Sequence, residues 1–156
     1  MKTSVAQPHK SSIGLDANLT ALIILGGMAL FSFSLSLSWW TIVFNVLSLA
    51  VPIVFFFLEK NSIFVKFQAV QALGIGVVRV VLAFIVQIIQ WIITATIYYS
   101  VSGYLGATLL LGAISVIVNI LITLVSVYVL FKAYGYKQVE LPVIGPLAKK
   151  FSEKQF

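Results

Sequence analysis

The charged side chains fall into three blocks separated by two long neutral stretches. Asp16 is followed by 42 uncharged residues, Ala17 to Leu58, and Arg79 by a further 52, Val80 to Phe131. Glu59, Lys60, Lys66 and Arg79 form the block between them, and Lys132 opens the last. A run of about 20 apolar residues crosses a hydrocarbon core of roughly 30 Å. A single helix of 42 residues would reach about 63 Å at about 1.5 Å per residue, too long for one crossing. Each neutral stretch therefore holds two spans and a turn, which predicts four crossings.

Composition agrees, with 61% hydrophobic and 9% charged residues. Soluble domains carry about 25% charged residues. The net charge of +6 would suggest nucleic acid in a soluble chain. In a membrane chain, Lys and Arg instead collect on the cytoplasmic side and meet anionic lipid headgroups, so no nucleic-acid partner is expected. The chain has no cysteine, which excludes disulfides, iron–sulfur clusters, thiolate zinc sites and cysteine nucleophiles.

The expected architecture is an all-α integral membrane four-helix bundle. Residues 1–18 form an N-terminal tail, with residues 1–15 polar and flexible and Asp16 placed to cap the first helix. The transmembrane domain covers 19–131, with spans over 19–37, 41–58, 75–98 and 105–131. Trp39 and Trp40 suit the first outer turn, Pro52 a kink in the second span, and Tyr98, Tyr99 and Tyr104 the second outer turn. A short interfacial amphipathic helix over 62–73 precedes the third span, because Ile63, Phe64, Phe67 and Val70 recur at helical spacing. Residues 132–156 form a basic tail. All ten Lys and Arg lie in the two tails and the middle block, so the positive-inside rule places both termini in the cytoplasm. A cleaved signal peptide fits less well, since Asp16 adjoins the apolar core and the apolar stretch continues past Ser38.

Several short motifs carry a family resemblance. They are Ser11-Ser12-Ile13-Gly14-Leu15-Asp16-Ala17-Asn18-Leu19, Phe57-Leu58-Glu59-Lys60-Asn61, Phe64-Val65-Lys66-Phe67-Gln68-Ala69-Val70-Gln71, Lys132-Ala133-Tyr134 and Leu141-Pro142-Val143-Ile144-Gly145. In combination they resemble the Tic-twenty-like small prokaryotic membrane proteins, named for distant similarity to a plastid protein-import component. The resemblance implies four spans in a prokaryotic plasma membrane and little about activity. It singles out Glu59, Lys66, Gln68 and Gln71 as a cytoplasmic motif. Relatives commonly read Arg-Phe-His-Ala where this chain reads Lys66-Phe67-Gln68-Ala69, so no imidazole titrates there.

Catalytic chemistry finds little support. His9 is the only histidine, and Asp16, Glu59, Glu140 and Glu153 are the only acids, all at or outside the membrane boundary. Neither a metal site nor a Ser–His–Asp arrangement can be assembled without the tail histidine, and no phosphate-binding glycine loop is present. The expectation is a chain without catalytic residues, metal or cofactor.

Within the neutral stretches, polar residues line up. At 100° per residue, Gln68, Ala72, Gly76, Arg79, Ala83, Gln87, Gln90 and Thr94 share an arc of roughly 100° on the third span. Thr108, Gly112, Ser115, Asn119, Thr123 and Ser126 share roughly 80° on the fourth. The stripes are either helix contacts, in which small residues permit approach and polar groups bond across the interface, or the lining of a polar path. Arg79, Gln87, Gln90, Asn119 and Thr123 are the candidate intramembrane residues. Arg79 either snorkels to the headgroups, pairs with Glu59 or Asp16, or holds an anion. Near the C-terminus, Leu147, Ala148 and Phe151 with Lys149, Lys150 and Lys154 suit a segment held on anionic lipid. The functional expectation is a small membrane scaffold or accessory subunit, with a membrane-protein partner or a second copy as its target. The alternative is a component of a translocation or transport pathway.

Overall fold

The computed structural model describes residues 3–31, 39–97 and 101–153. These form α1 (Ala17–Phe31), α2 (Trp39–Ser48), α3 (Ala50–Leu58), α4 (Ile63–Ile97), α5 (Val101–Tyr134) and α6 (Ile144–Glu153), with two short strands, β1 (Thr3–Val5) and β2 (Lys137–Val139). The protein is mainly helical. Two helices, α4 and α5, are long and apolar enough to cross a membrane, and α1 and the α2–α3 pair are shorter apolar helices. The turn at Tyr98 and Tyr99 and the Phe33–Leu37 end of the first span lie outside the described residues.

The segment expected to be the second span is not one helix. It breaks at Leu49, whose N–H donates to Val46 O at 3.1 Å, and α3 restarts at Ala50. Pro52 explains the position of the break. It has no N–H to give to the carbonyl of Ser48 four residues back, and its ring crowds that carbonyl. The expected kink at the proline is therefore a break three residues ahead of it. The Ser48 hydroxyl turns back to Asn45 O at 2.7 Å.

The interfacial helix expected over 62–73 is likewise not separate, because it is the first part of the continuous α4. Gly74 and Gly76 do not interrupt that helix; they let neighbours approach it. A Cβ on Gly74 would lie 2.6 Å from Ile144 Cγ2, and one on Gly76 would collide with Leu49 Cδ2 and reach within 3.3 Å of Met28 Sδ. The helix pays the entropic cost of two glycines at the places where α6, α3 and α1 pack closest to it.

The core lies at the charged end of the molecule. Ala17, Ala21, Ile24, Leu25 and Met28 of α1 pack with Phe64, Val65, Ala69, Ala72 and Ile75 of α4, Val129 and Ala133 of α5, and Leu141. Farther along, α4 and α5 expose apolar faces, including Ile88, Trp91 and Ile92 on one and Leu109, Ile117, Leu121 and Leu124 on the other.

The two tails are joined. β1 and β2 pair antiparallel, with Thr3 opposite Val139 and Val5 opposite Lys137, and Ser4 Oγ donates to Gln138 Oε1 at 3.0 Å. The N-terminal segment expected to be flexible is thus a strand, because its donors and acceptors have a partner strand more than a hundred residues away. The C-terminal segment then folds back as α6 on α4. Its inner stripe, Ala148 and Ser152, is buried, and Leu147 and Phe151 remain exposed.

Candidate functional site: a polar clasp and an intramembrane polar face

The clasp is built from the loop before α1 and the connector between α3 and α4. Gly14, at φ 87, lets the chain turn so that its N–H reaches Ser11 O at 3.0 Å. The turn carries Ser12 to Glu59. Ser12 N–H donates to both carboxylate oxygens at 3.0 and 3.1 Å, and its hydroxyl donates to Oε1 at 2.6 Å. The backbone N–H groups of Asn61 and Ser62 donate to the same oxygen at 3.0 and 2.9 Å. Ser12 Oγ in turn accepts from the N–H groups of Lys60 and Asn61. Glu59 is 1% exposed. Burial acts to raise its pKa, but the bonds from Ser12, Asn61 and Ser62 outweigh that and hold it below the ordinary carboxylate value.

Ser62 is the N-cap of α4, accepting from Val65 N–H at 3.1 Å. Its hydroxyl lies 2.6 Å from His9 Nε2, and His9 Nδ1 lies 2.7 Å from Gln7 O. This network assigns the ring proton to Nδ1, donating to Gln7, with the Ser62 hydroxyl donating to Nε2. The ring sits against Phe64 and Tyr136, with centroids 6.4 and 6.3 Å away. The tail histidine thus does meet a serine, but that serine is buried and its oxygen is occupied as a helix cap.

Glu59, Lys66, Gln68 and Gln71 are all buried, yet they do not form one network. Glu59 belongs to the clasp. Gln71 Nε2 donates to Val139 O at 2.6 Å, tying α4 to β2. Gln68 is fully buried, and neither its Oε1 nor its Nε2 has a hydrogen-bond partner. Sequence reasoning missed His9, Ser12 and Ser62 as members of this end. The one local signal was Ser62 immediately ahead of a helical apolar pattern, which marks a helix start.

Along the spans, the polar stripes of α4 and α5 lie on their covered sides. Gln87, Gln90, Asn119 and Thr123 are half-buried, whereas Ile88, Ile89, Trp91, Ile120 and Leu124 beside them are exposed. Arg79 is 7% exposed and points into the bundle. Its Nη2 donates to Thr123 Oγ1 at 3.4 Å, and its Nε is buried without a partner. Snorkelling would lay the side chain along the lipid-facing surface; here most of the residue is covered by protein and its Nη2 turns to Thr123. Lys149 and Lys150 are exposed on α6, and Lys154 lies outside the described residues. No group of three His, Asp or Glu that could hold a metal occurs among the described residues.

Comparison with known proteins places the chain among membrane proteins. It is similar to the UPF0132 membrane protein MJ1443 of Methanocaldococcus jannaschii, with 27% identity over 148 residues, 92% of this chain and 96% of the relative. No family model and no solved structure matches it. The near-complete overlap extends the likeness to both tails and supports a membrane protein. It does not support the Tic-twenty-like assignment in particular.

Proposed function

We propose that the chain crosses a prokaryotic plasma membrane four times with both termini in the cytoplasm. There it acts as a non-enzymatic scaffold or accessory subunit. One observation carries the scaffold reading. Beside Gly76, one turn of α4 before Arg79, the bundle is filled by Leu49 and Met28, so the polar faces of α4 and α5 meet a packed apolar layer on the charged side. α5 then offers a long outward face, with Leu109, Leu110, Ile117, Leu121 and Leu124 exposed, to lipid and to a neighbouring helix. Lys149 and Lys150 on α6 supply contacts to anionic headgroups. No acid lies within the proposed spans to couple transport to protons. No cofactor enters this reading, and its partner is a membrane protein or a second copy.

The chain has no native thiols, which makes the test direct. Single cysteines at Ile117, Leu121 and Leu124, treated with a bifunctional thiol or photoactivated crosslinker in native membranes, are expected to give an adduct to another chain. Monomer alone at all three positions would overturn the scaffold. A second reading, a translocation or transport component as the Tic-twenty-like resemblance suggests, is favoured by buried polar atoms without partners, Gln90 Oε1 and Thr108 Oγ1. Periodic labelling of cysteines at Gln87, Gln90 and Asn119 by a water-soluble thiol reagent would support that reading.

A further inference from the structure

We propose that Arg79 and Thr123 form a binding site for a phosphate-class oxyanion at the inner-leaflet level of the bundle. Arg79 as a residue is more than nine-tenths buried, its Nε is buried without a partner, and its hydrogen bond among the described residues is the 3.4 Å contact from Nη2 to Thr123 Oγ1. Burial of an unpaired cation is among the most costly arrangements a fold can hold, so a compensating anion is required.

The described residues do not supply one at that depth. Arg79 is the only charged residue between Lys66 and Lys132. Glu59 is occupied by Ser12, Asn61 and Ser62. Asp16 precedes α1, which starts beside the start of α4 and reaches Gly76 with Met28. Asp16 therefore lies on the order of 20 Å along the axis from Arg79 at about 1.5 Å per residue. Glu140 follows β2, which Gln71 ties to α4 two turns before Arg79, and Glu153 lies in α6. A second copy carries the same sequence and brings no acid to this level.

The donors identify the ligand class. A guanidinium presents planar paired N–H groups that match phosphate and carboxylate oxygens, and the Thr123 hydroxyl adds a donor from the facing helix. Arg79 stands about 6 Å past the expected start of the third span at residue 75, at about 1.5 Å per residue, so its long side chain can reach back toward the headgroup level. That placement rests on the topology proposed above; the requirement for an anion does not. The phosphate comes either from an anionic lipid head or from free phosphate.

The test uses the full-length protein in a nonionic detergent, delipidated and titrated separately with inorganic phosphate and with phosphatidylglycerol, reading thermal stability and native mass spectra. Wild type is expected to bind one of the two with an upward shift in Tm, and Arg79→Gln to bind at least tenfold more weakly. Response to phosphate identifies the free anion, and response to phosphatidylglycerol alone identifies the lipid. Lys149→Gln/Lys150→Gln is expected to retain the response, which separates the site from the basic surface. If Arg79→Gln does not fold, Thr123→Val takes its place, with a weaker but measurable loss. Equal responses in wild type and both variants, or no response in wild type, would overturn the proposal. So would a co-purifying protein that is lost in Arg79→Gln while neither probe binds, because a partner's carboxylate would then fill the role. The crosslinking result on α5 is independent of all these outcomes.

Discussion

Ser12 gives both its backbone N–H and its hydroxyl to the carboxylate of Glu59, 47 residues further along the chain. This relationship locks the loop before α1 to the connector before α4.

Replacement of Ser12 by Ala removes the 2.6 Å hydroxyl bond and the acceptor used by Lys60 and Asn61. Hydrogen bonds to charged groups contribute about 1.5–3 kcal/mol. Ser12→Ala is therefore expected to lower stability by about 2 kcal/mol, read as a drop in Tm in detergent, whereas a neighbouring exposed change such as Ile13→Ala has a much smaller effect.

The pH dependence follows from Glu59. Its pKa is lowered in the folded protein, so the unfolded chain takes up the proton more readily. The associated stability is present above the ordinary carboxylate pKa and is lost as pH falls through the folded value. Wild type is expected to lose Tm as pH falls below about 4. Glu59→Gln starts lower and shows a flatter acid limb. Parallel acid limbs for the two proteins would contradict this.

Gly145 lies in the first turn of α6, where the chain has doubled back. A Cβ there would fall 2.7 Å from Glu140 Cα and 2.8 Å from its carbonyl carbon, backbone atoms that cannot swing aside. Gly145→Ala is expected to cost about 1–3 kcal/mol, the range for overpacking, and to loosen α6. Limited proteolysis should then cut within 141–150 faster than in wild type.

Gln71 holds β2 to α4 through Val139 O at 2.6 Å. Gln71→Leu preserves bulk but leaves that carbonyl unpaired in a buried position, at a cost of about 1–3 kcal/mol. Hydrogen exchange is expected to accelerate in both β1 and β2, since the strands share one ladder. Protection unchanged in β1 would show that the ladder stands without the α4 tie.

The sequence revealed different amounts about different elements. The two long apolar helices were legible because apolar length and the absence of charge are properties of a continuous run. The start of α4 was legible at Ser62, a capping residue. The separation expected between a helix over 62–73 and a span from 75 does not exist in the continuous α4, because the intervening glycine suits a close helix approach as well as an interruption. The neighbours that decide between these, Ile144 and Leu49, are remote in sequence or lie in another helix. The candidate intramembrane residues were grouped on one face of each helix by angle alone, and in the structure Gln87, Gln90, Asn119 and Thr123 are half-buried. Gln68 and Gln71 were grouped together by a motif, although one bonds to a strand and the other finds no partner.

Taken alone, the sequence determined that this chain is a membrane protein rich in apolar helices, with its charges gathered toward their ends and no thiol chemistry, since hydropathy and composition act residue by residue. Tertiary structure decided the rest. It paired Ser4 with Gln138 across 134 positions, turned the last helix back onto α4, and aimed Arg79 inward at Thr123 instead of outward at lipid. Those outcomes depend on which surfaces meet. A helical periodicity can rank the faces of a helix, but it cannot say which face another helix will cover.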